Sequence, residues 1–204
     1  MKKVLLVGAT GTIGAAISRE LAVDCDVVSV GNSSGDFQVD LGDSQSISEL
    51  YQAVPDVDAV ICAAACGVVF KPLIQMSRDD YIQSFQSKFL GQVDLVVQGL
   101  QCLHQDVSFT LTTGILNVDP IANGSAAAAI NSAVEGFARA AAMDVDGRQR
   151  INVVSPGLLE ESHQKLGHLF PGYPTVAGSR VSKAYRKSVF GLRTGHVFKV
   201  GWEQ

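Results

Sequence analysis

Val4-Leu5-Leu6-Val7-Gly8-Ala9-Thr10-Gly11-Thr12-Ile13-Gly14 follows Met1 by only two lysines, and its reading decides the fold. Four consecutive apolar residues predict a short strand buried on both faces. Glycines at 8, 11 and 14 then mark a turn, after which Ile13, Ile17 and Leu21 recur at helical spacing. Each glycine has its own reason in a strand–turn–helix unit. Gly8 turns the chain sharply, Gly11 lets backbone approach a diphosphate with no Cβ in the way, and Gly14 lets the helix pack close to the sheet. The helix start offers N–H groups and a partial positive charge to an anion, so Thr10, Thr12 and Ile13 join the three glycines as expected contacts. Three glycines alone say little; placed in the first strand-turn-helix of the chain they point to a bound dinucleotide.

The same alternation continues. Strands are expected at Lys3–Val7, Asp26–Val30, Phe37–Val39, Ala59–Cys62, Ser108–Leu111, Ile151–Val154 and Val197–Val200. Helices are expected at Thr12–Val23, Ser44–Val54, Arg78–Leu103, Ser125–Asp144 and Ser179–Val189. Near-continuous apolar strands separated by helices predict an α/β fold with a parallel sheet covered on both faces. Right-handed crossovers make it a doubly wound, Rossmann-type sheet, with strand order 3-2-1-4-5-6-7. No repeat, low-complexity tract or Pro/Ser-rich linker interrupts residues 1–204, so one domain is expected.

Composition narrows the function classes. A formal charge of −4 gives no basic footprint for nucleic acid, and Arg180, Lys183, Arg186, Lys187 and Arg193 read as a solvated helix face. No apolar run is long enough to span a membrane, and the first strand is too short for a signal peptide's apolar segment, so a cytoplasmic address is expected. Cys25, Cys62, Cys66 and Cys102 form no Cys-x-x-Cys pair, and His104, His163, His168 and His196 are scattered; no metal site is expected. The small-residue run Ser125–Met143 permits close helix packing, within the subunit or across a symmetric interface, and makes a homo-oligomer, dimer or tetramer, the expected assembly.

The tip of the second strand bears on the nucleotide. Val30-Gly31-Asn32-Ser33-Ser34-Gly35 has no acid where NAD-specific sheets often place one on the ribose hydroxyls. Asn32, Ser33 and Ser34 instead offer amide and hydroxyl donors, which favours NADP and leaves NAD possible; no Arg is there to clamp a 2′-phosphate. A merely polar turn is the alternative reading.

These features together resemble the short-chain dehydrogenase/reductase family over nearly the whole chain. Asp40-Leu41 matches the pair that family members place around adenine. Asp58-Ala-Val-Ile-Cys-Ala-Ala-Ala65 stands where the family has an Asn-Asn-Ala-Gly stretch along the ribose, and implies cofactor contacts at Ala63, Ala64 and Ala65. Ile151-Asn-Val-Val-Ser-Pro-Gly157 resembles the Pro-Gly turn beside the nicotinamide, and implies contacts at Pro156 and Gly157. Thr194–Val200 resembles the final strand.

The departures matter as much. Family enzymes use a Ser to hold the substrate oxygen, a Tyr as general acid/base, a Lys four residues later to lower the Tyr pKa, and an Asn from an earlier helix. Here Ala127 stands in the Tyr position, Asn131 in the Lys position, Thr113 in the Ser position and Lys88 in the Asn position. Tyr51, Tyr81, Tyr173 and Tyr185 are followed four residues later by Pro55, Phe85, Ala177 and Val189, so none restores the motif. Ala127 has no proton to give, and loss of a positioned general acid costs about 10²–10⁴ in rate.

Two readings follow. In the first, an oxidoreductase acts on a small carbonyl or alcohol, with Thr113 holding the oxygen, Lys88 or water supplying the proton and Asn131 contacting the ribose. In the second, the chain is a catalytically inactive dinucleotide-binding sensor or scaffold. Lys88 also has a plain reading as a helix-surface or interface lysine, and Asn131 as a plain helix residue at an interface. The apolar segment after Gly157, with Leu158, Leu159, Leu166, Leu169 and Phe170, corresponds to the family's substrate lid in abbreviated form, or else caps the core.

Overall fold

The computed structural model describes residues 1–64, 67–146 and 148–202. In chain order the strands are β1 (Lys2–Val7), β2 (Cys25–Gly31), β3 (Phe37–Gln38), β4 (Ala59–Cys62), β5 (Ser108–Thr112), β6 (Arg150–Pro156), β7 (Leu158–Leu159), β8 (Thr175–Val176) and β9 (Val197–Val200). Seven of them form one parallel sheet in the order β3-β2-β1-β4-β5-β6-β9. This is the expected doubly wound sheet, with β9 as its seventh strand. The pair β7–β8 forms a separate two-stranded sheet; at two residues each, these strands are too short to leave a periodic signature.

The helices are α1 (Thr12–Leu21), α2 (Ser44–Ala53), α3 (Arg78–Ser84), α4 (Gly91–Cys102), α5 (Ser125–Asp144), α6 (His163–Leu166) and α7 (Gly178–Phe190). Alternation along the strands assigns them to faces. Leu5 and Val7 face a core built with Ile47 and Leu50 of α2, Leu95 of α4 and Ile130 of α5. Val4 and Leu6 face the opposite core, with Ile17 and Leu21 of α1 and Val181 and Tyr185 of α7. Val4, Leu5 and Leu6 are fully buried, as two-sided burial of β1 requires.

The segment expected as one helix over Arg78–Leu103 is interrupted. Between α3 and α4, residues Phe85–Leu90 form a turn of π-helix, the kind of widening that recurs at functional sites. Two contacts fix it. Gly91 packs so closely on the loop after β3 that a Cβ would lie 2.6 Å from the Leu41 carbonyl oxygen. The buried Gln92 side chain donates to the Lys88 carbonyl at 3.0 Å, supplying a partner inside the widened turn.

Because every strand is parallel, the loops after β1, β2, β3, β4, β5 and β6 all leave from one edge of the sheet. The chain reverses its direction of winding between β1 and β4, which opens the crevice where such sheets take ligands.

Candidate active site

The turn after β1 is built as its sequence implies. Gly8 has φ +85°, and a Cβ there would meet the Ala64 nitrogen at 2.7 Å. A Cβ on Gly14 would come 2.0 Å from the Gly8 carbonyl oxygen, so only glycine lets α1 start this close to the turn. The turn is held by Gly8 N–H donating to Val30 O at 2.8 Å and Gly11 N–H donating to Gly8 O at 3.1 Å. Gly11 is the N-cap of α1, and no side chain caps that helix. Its first N–H groups therefore face outward at an exposed terminus.

A cleft of about 430 Å³ opens there, within the usual size of small-molecule sites, about 300–1,000 Å³. Gly11, Thr12, Ile13 and Ala63 line it on the side of the β1 turn, and Pro156 and Gly157 line it from the end of β6. Thr113, Lys88 and Asn131 line it too, so the three residues singled out for chemistry converge although they come from the loop just after β5, the π turn and α5. The remaining walls are mostly apolar, among them Val68, Phe70, Leu116 and Phe170, with Ser162 as a polar exception.

Thr10 is exposed beside the turn. Ala64 stands behind Gly8. Asn32, Ser33 and Ser34 are exposed past the tip of β2, on the same edge of the sheet but outside the cleft. The nearby Asp36 turns its carboxylate back, accepting from the Ser29 N–H at 2.9 Å and the Ser29 hydroxyl at 2.7 Å. Those bonds hold its carboxyl below the ordinary aspartate range. Asp40 and Leu41 follow β3 and also lie away from the cleft; Asp40 accepts from the Gly42 N–H at 2.8 Å, and Leu41 is buried against Gly91. Ala65 lies outside the described residues.

The polar end of the cleft is a small network. The buried Lys88 Nζ donates to Asn131 Oδ1 at 3.1 Å, and Asn131 Nδ2 donates to the Gly114 carbonyl at 2.9 Å. Burial pulls the Lys88 ammonium from its ordinary 10.5 down to about 8, opposed only in part by the nearby Cys62 thiol. Lys88 is thus buried and does not lie on the helix surface. The exchange of residue types is reciprocal: lysine stands where the family has asparagine, asparagine where it has lysine, and the two touch.

Ala127, Asn131 and Glu135, spaced by four, share one face of α5. All three are buried, and Ala127 and Asn131 line the cleft. None of the four tyrosines lines the cleft. Tyr51 donates to Leu95 O, Tyr81 pairs with Ser125, Tyr173 donates to Asp119 O, and Tyr185 pairs with Thr112.

Sequence reasoning missed two partners. The Thr113 hydroxyl donates to Glu135 Oε1 at 3.4 Å, and Arg139 holds the other carboxylate oxygen at 3.0 Å. Gln92 clamps the end of β5, accepting from Thr112 N–H at 2.8 Å and donating to Thr112 O at 3.2 Å. The spacing of Asn131 and Glu135 on α5 was a signal for the first; nothing local announces the second. Among the described residues no cluster of three His, Cys, Asp or Glu side chains is placed to hold a metal, and no helix is long and apolar enough to cross a membrane.

A glycine turn at the switch point of a doubly wound parallel sheet, opening on a mixed polar and apolar cleft, defines a Rossmann-type α/β protein. A family model described as enoyl-(acyl carrier protein) reductase matches residues 9–171, and the chain belongs to the short-chain dehydrogenase/reductase family. It is similar to the protein lin1944 from Listeria innocua, at 41% identity and a TM-score of 0.95 over 98% of this chain and 99% of that one. It is also similar to a small-chain dehydrogenase solved in complex with NADPH, at 24% identity and a TM-score of 0.85 over 98% and 96% of the two chains. A curated short-chain dehydrogenase/reductase, ucsE of Acremonium sp, is 31% identical over 103 residues. That match takes in 50% of this chain and 39% of the relative's length.

Proposed function

We propose that the protein is an oxidoreductase that binds NADP, with NAD as the lesser possibility, and reduces a small carbonyl compound or oxidises the matching alcohol by a proton relay without tyrosine. The observation that carries this reading is the buried Lys88–Asn131 pair, at 3.1 Å, in the cleft that also receives the first turn of α1.

The residues fit a dinucleotide. Gly8 and Gly14 stand where a Cβ would collide with backbone, and the uncapped start of α1 suits a diphosphate. Asn32, Ser33 and Ser34 present donors beyond β2 while Asp36 is tied to Ser29, an arrangement that suits a 2′-phosphate. The NADPH-bound relative has the same fold. Asp40, Leu41, Ala63, Ala64, Ala65, Pro156 and Gly157 complete the cofactor contacts in this reading.

When bound, the nicotinamide supplies or accepts the hydride. Thr113 and Lys88 orient the substrate oxygen, and the Lys88 ammonium gives it a proton as the carbonyl is reduced. The neutral amine is then reprotonated from solvent. Asn131 holds Lys88 in place and contacts the ribose. Lysine supplies acid only while protonated, so reduction falls as pH rises through about 8. The test is NADPH consumption with small aldehydes and ketones: Lys88→Met abolishes turnover, and unchanged turnover would refute the relay.

Ala127 in the tyrosine position favours a second reading, a dinucleotide sensor or scaffold; binding of NADPH without consumption of any carbonyl in the screen would select it. A cytoplasmic homo-oligomer, dimer or tetramer, belongs to the first reading. The exposed small residues Ala129, Ser132 and Gly136 on α5 suit close packing against a second copy, which sedimentation would detect.

A further inference from the structure

The cleft is divided by chemistry. Its buried polar side chains are Thr113, Lys88 and Asn131, while Thr12 and Ser162, which are not buried, also line it. Beyond them Ile115, Leu116 and Ala127 form a buried apolar cluster against which Val68, Phe170 and Trp202 pack. Phe70 and Leu166 stand at the rim, 48% and 42% exposed. Among the described lining residues Lys88 is the one charged side chain, and none is Asp, Glu, Arg or His.

We propose that this apolar cluster is a substrate subsite that takes an aliphatic chain or aromatic ring, so that the substrate is an apolar carbonyl compound with one acceptor oxygen and no phosphate or second charged group. The assignment of the oxygen to Thr113 and Lys88 rests on the oxidoreductase reading; the apolar seat itself does not.

Desolvation decides which ligands fit. A phosphate or dicarboxylate placed among Ile115, Leu116 and Phe170 would lose water and find a single cation, already shared with Asn131. An apolar group loses nothing there and covers Phe70 and Leu166, which otherwise expose apolar surface to water. Ala127 makes the room: a methyl group borders the cluster where the family pattern has a phenol. A single carbonyl oxygen then needs one or two donors, which is what the polar end offers.

The protein carries its own reporter. Trp202 is the only tryptophan, it packs on the cluster, and its Nε1 is fixed by donation to the Ser155 carbonyl at 2.8 Å. The experiment is calorimetry and Trp202 emission with the full chain and NADP⁺, titrated with butan-2-one, hexan-2-one, octan-2-one and decan-2-one, and with dihydroxyacetone phosphate. The proposal expects Kd to fall about fourfold per methylene until the cleft is filled, with a saturable change in emission and weaker binding of the phosphorylated ketone. Ala127→Phe fills the seat and removes the ketone response. Leu166→Glu, at an exposed position where folding is not at issue, weakens the longer ketones by at least about tenfold.

A flat series, or tighter binding of dihydroxyacetone phosphate, overturns the proposal. An unchanged ketone affinity in Leu166→Glu does the same. Thermal shift with NADPH on the same samples separates the two ideas. Ketone binding without a nucleotide shift leaves the seat standing and removes the cofactor reading; a nucleotide shift with a flat ketone series does the reverse.

Discussion

Replacing Lys88 by methionine should stabilise the protein while removing its chemistry. The ammonium is buried, its pKa is pulled down from 10.5 to about 8, and in the described bond Nζ donates to an amide oxygen, not a carboxylate. At about 1.4 kcal/mol per pH unit, the charged form costs about 3 kcal/mol more in the folded chain than in the unfolded one. Below pH 8 both states hold the proton and the whole cost is present. Between pH 8 and 10.5 only the unfolded chain holds it, so stability rises with pH and the cost is gone above 10.5. Methionine keeps the apolar stem, removes the charge and gives up the bond to Asn131, worth about 1 kcal/mol. The variant should therefore be more stable by about 2 kcal/mol at pH 7, or about 4–8 °C in Tm. Urea unfolding of both proteins at pH 7 and pH 10 checks this: the wild-type chain should gain about 2–3 kcal/mol relative to the variant over that range. A variant destabilised at pH 7, or two parallel pH profiles, would refute the reasoning.

Other outcomes follow from the same geometry. Gly14→Ala puts a Cβ 2.0 Å from the Gly8 carbonyl, with no flexible side chain to yield; calorimetry should record a loss of at least about 3 kcal/mol and of nucleotide binding. Gln92→Leu strands Thr112 N–H, Thr112 O and Lys88 O, and denaturant unfolding should register about 3 kcal/mol of destabilisation. Ser33→Asp should lower the affinity for NADPH at least about tenfold and spare NADH, since a carboxylate repels a 2′-phosphate but not a hydroxyl; equal loss for both nucleotides would remove that loop from the ribose. If Lys88 is the acid, the reductive rate should fall as pH rises through about 8, and the oxidative rate should climb over the same interval.

The fold was legible because its determinants are local and repeated. Val4–Val7, Ala59–Cys62 and Ile151–Val154 each spell a strand buried on both sides, and the glycines at 8 and 14 occupy positions where the structure admits nothing larger. What sequence did not show depends on pairing between distant segments. The π turn at Phe85–Leu90 is set by Gln92 and by Leu41 against Gly91, not by composition, and within the helical pattern nothing interrupts the period. Glu135 gains its meaning from Thr113, 22 residues earlier. The two-residue strands β7 and β8 form only because Leu158 and Thr175 meet. Lys88 lay between both cases: its position in the family pattern marked it, while its burial and its contact with Asn131 required the packed structure.

Nucleotide binding at the turn after β1 is tested most directly by thermal unfolding with NADPH, NADP⁺, NADH and NAD⁺. A nucleotide at about 100 times its Kd adds about 2.7 kcal/mol, a rise of about 5–10 °C for a chain of this size. The predicted result is that rise with NADPH and a smaller one with NADH. No shift with any of the four would leave the Gly8–Gly14 turn a structural feature only, and would contradict the oxidoreductase reading.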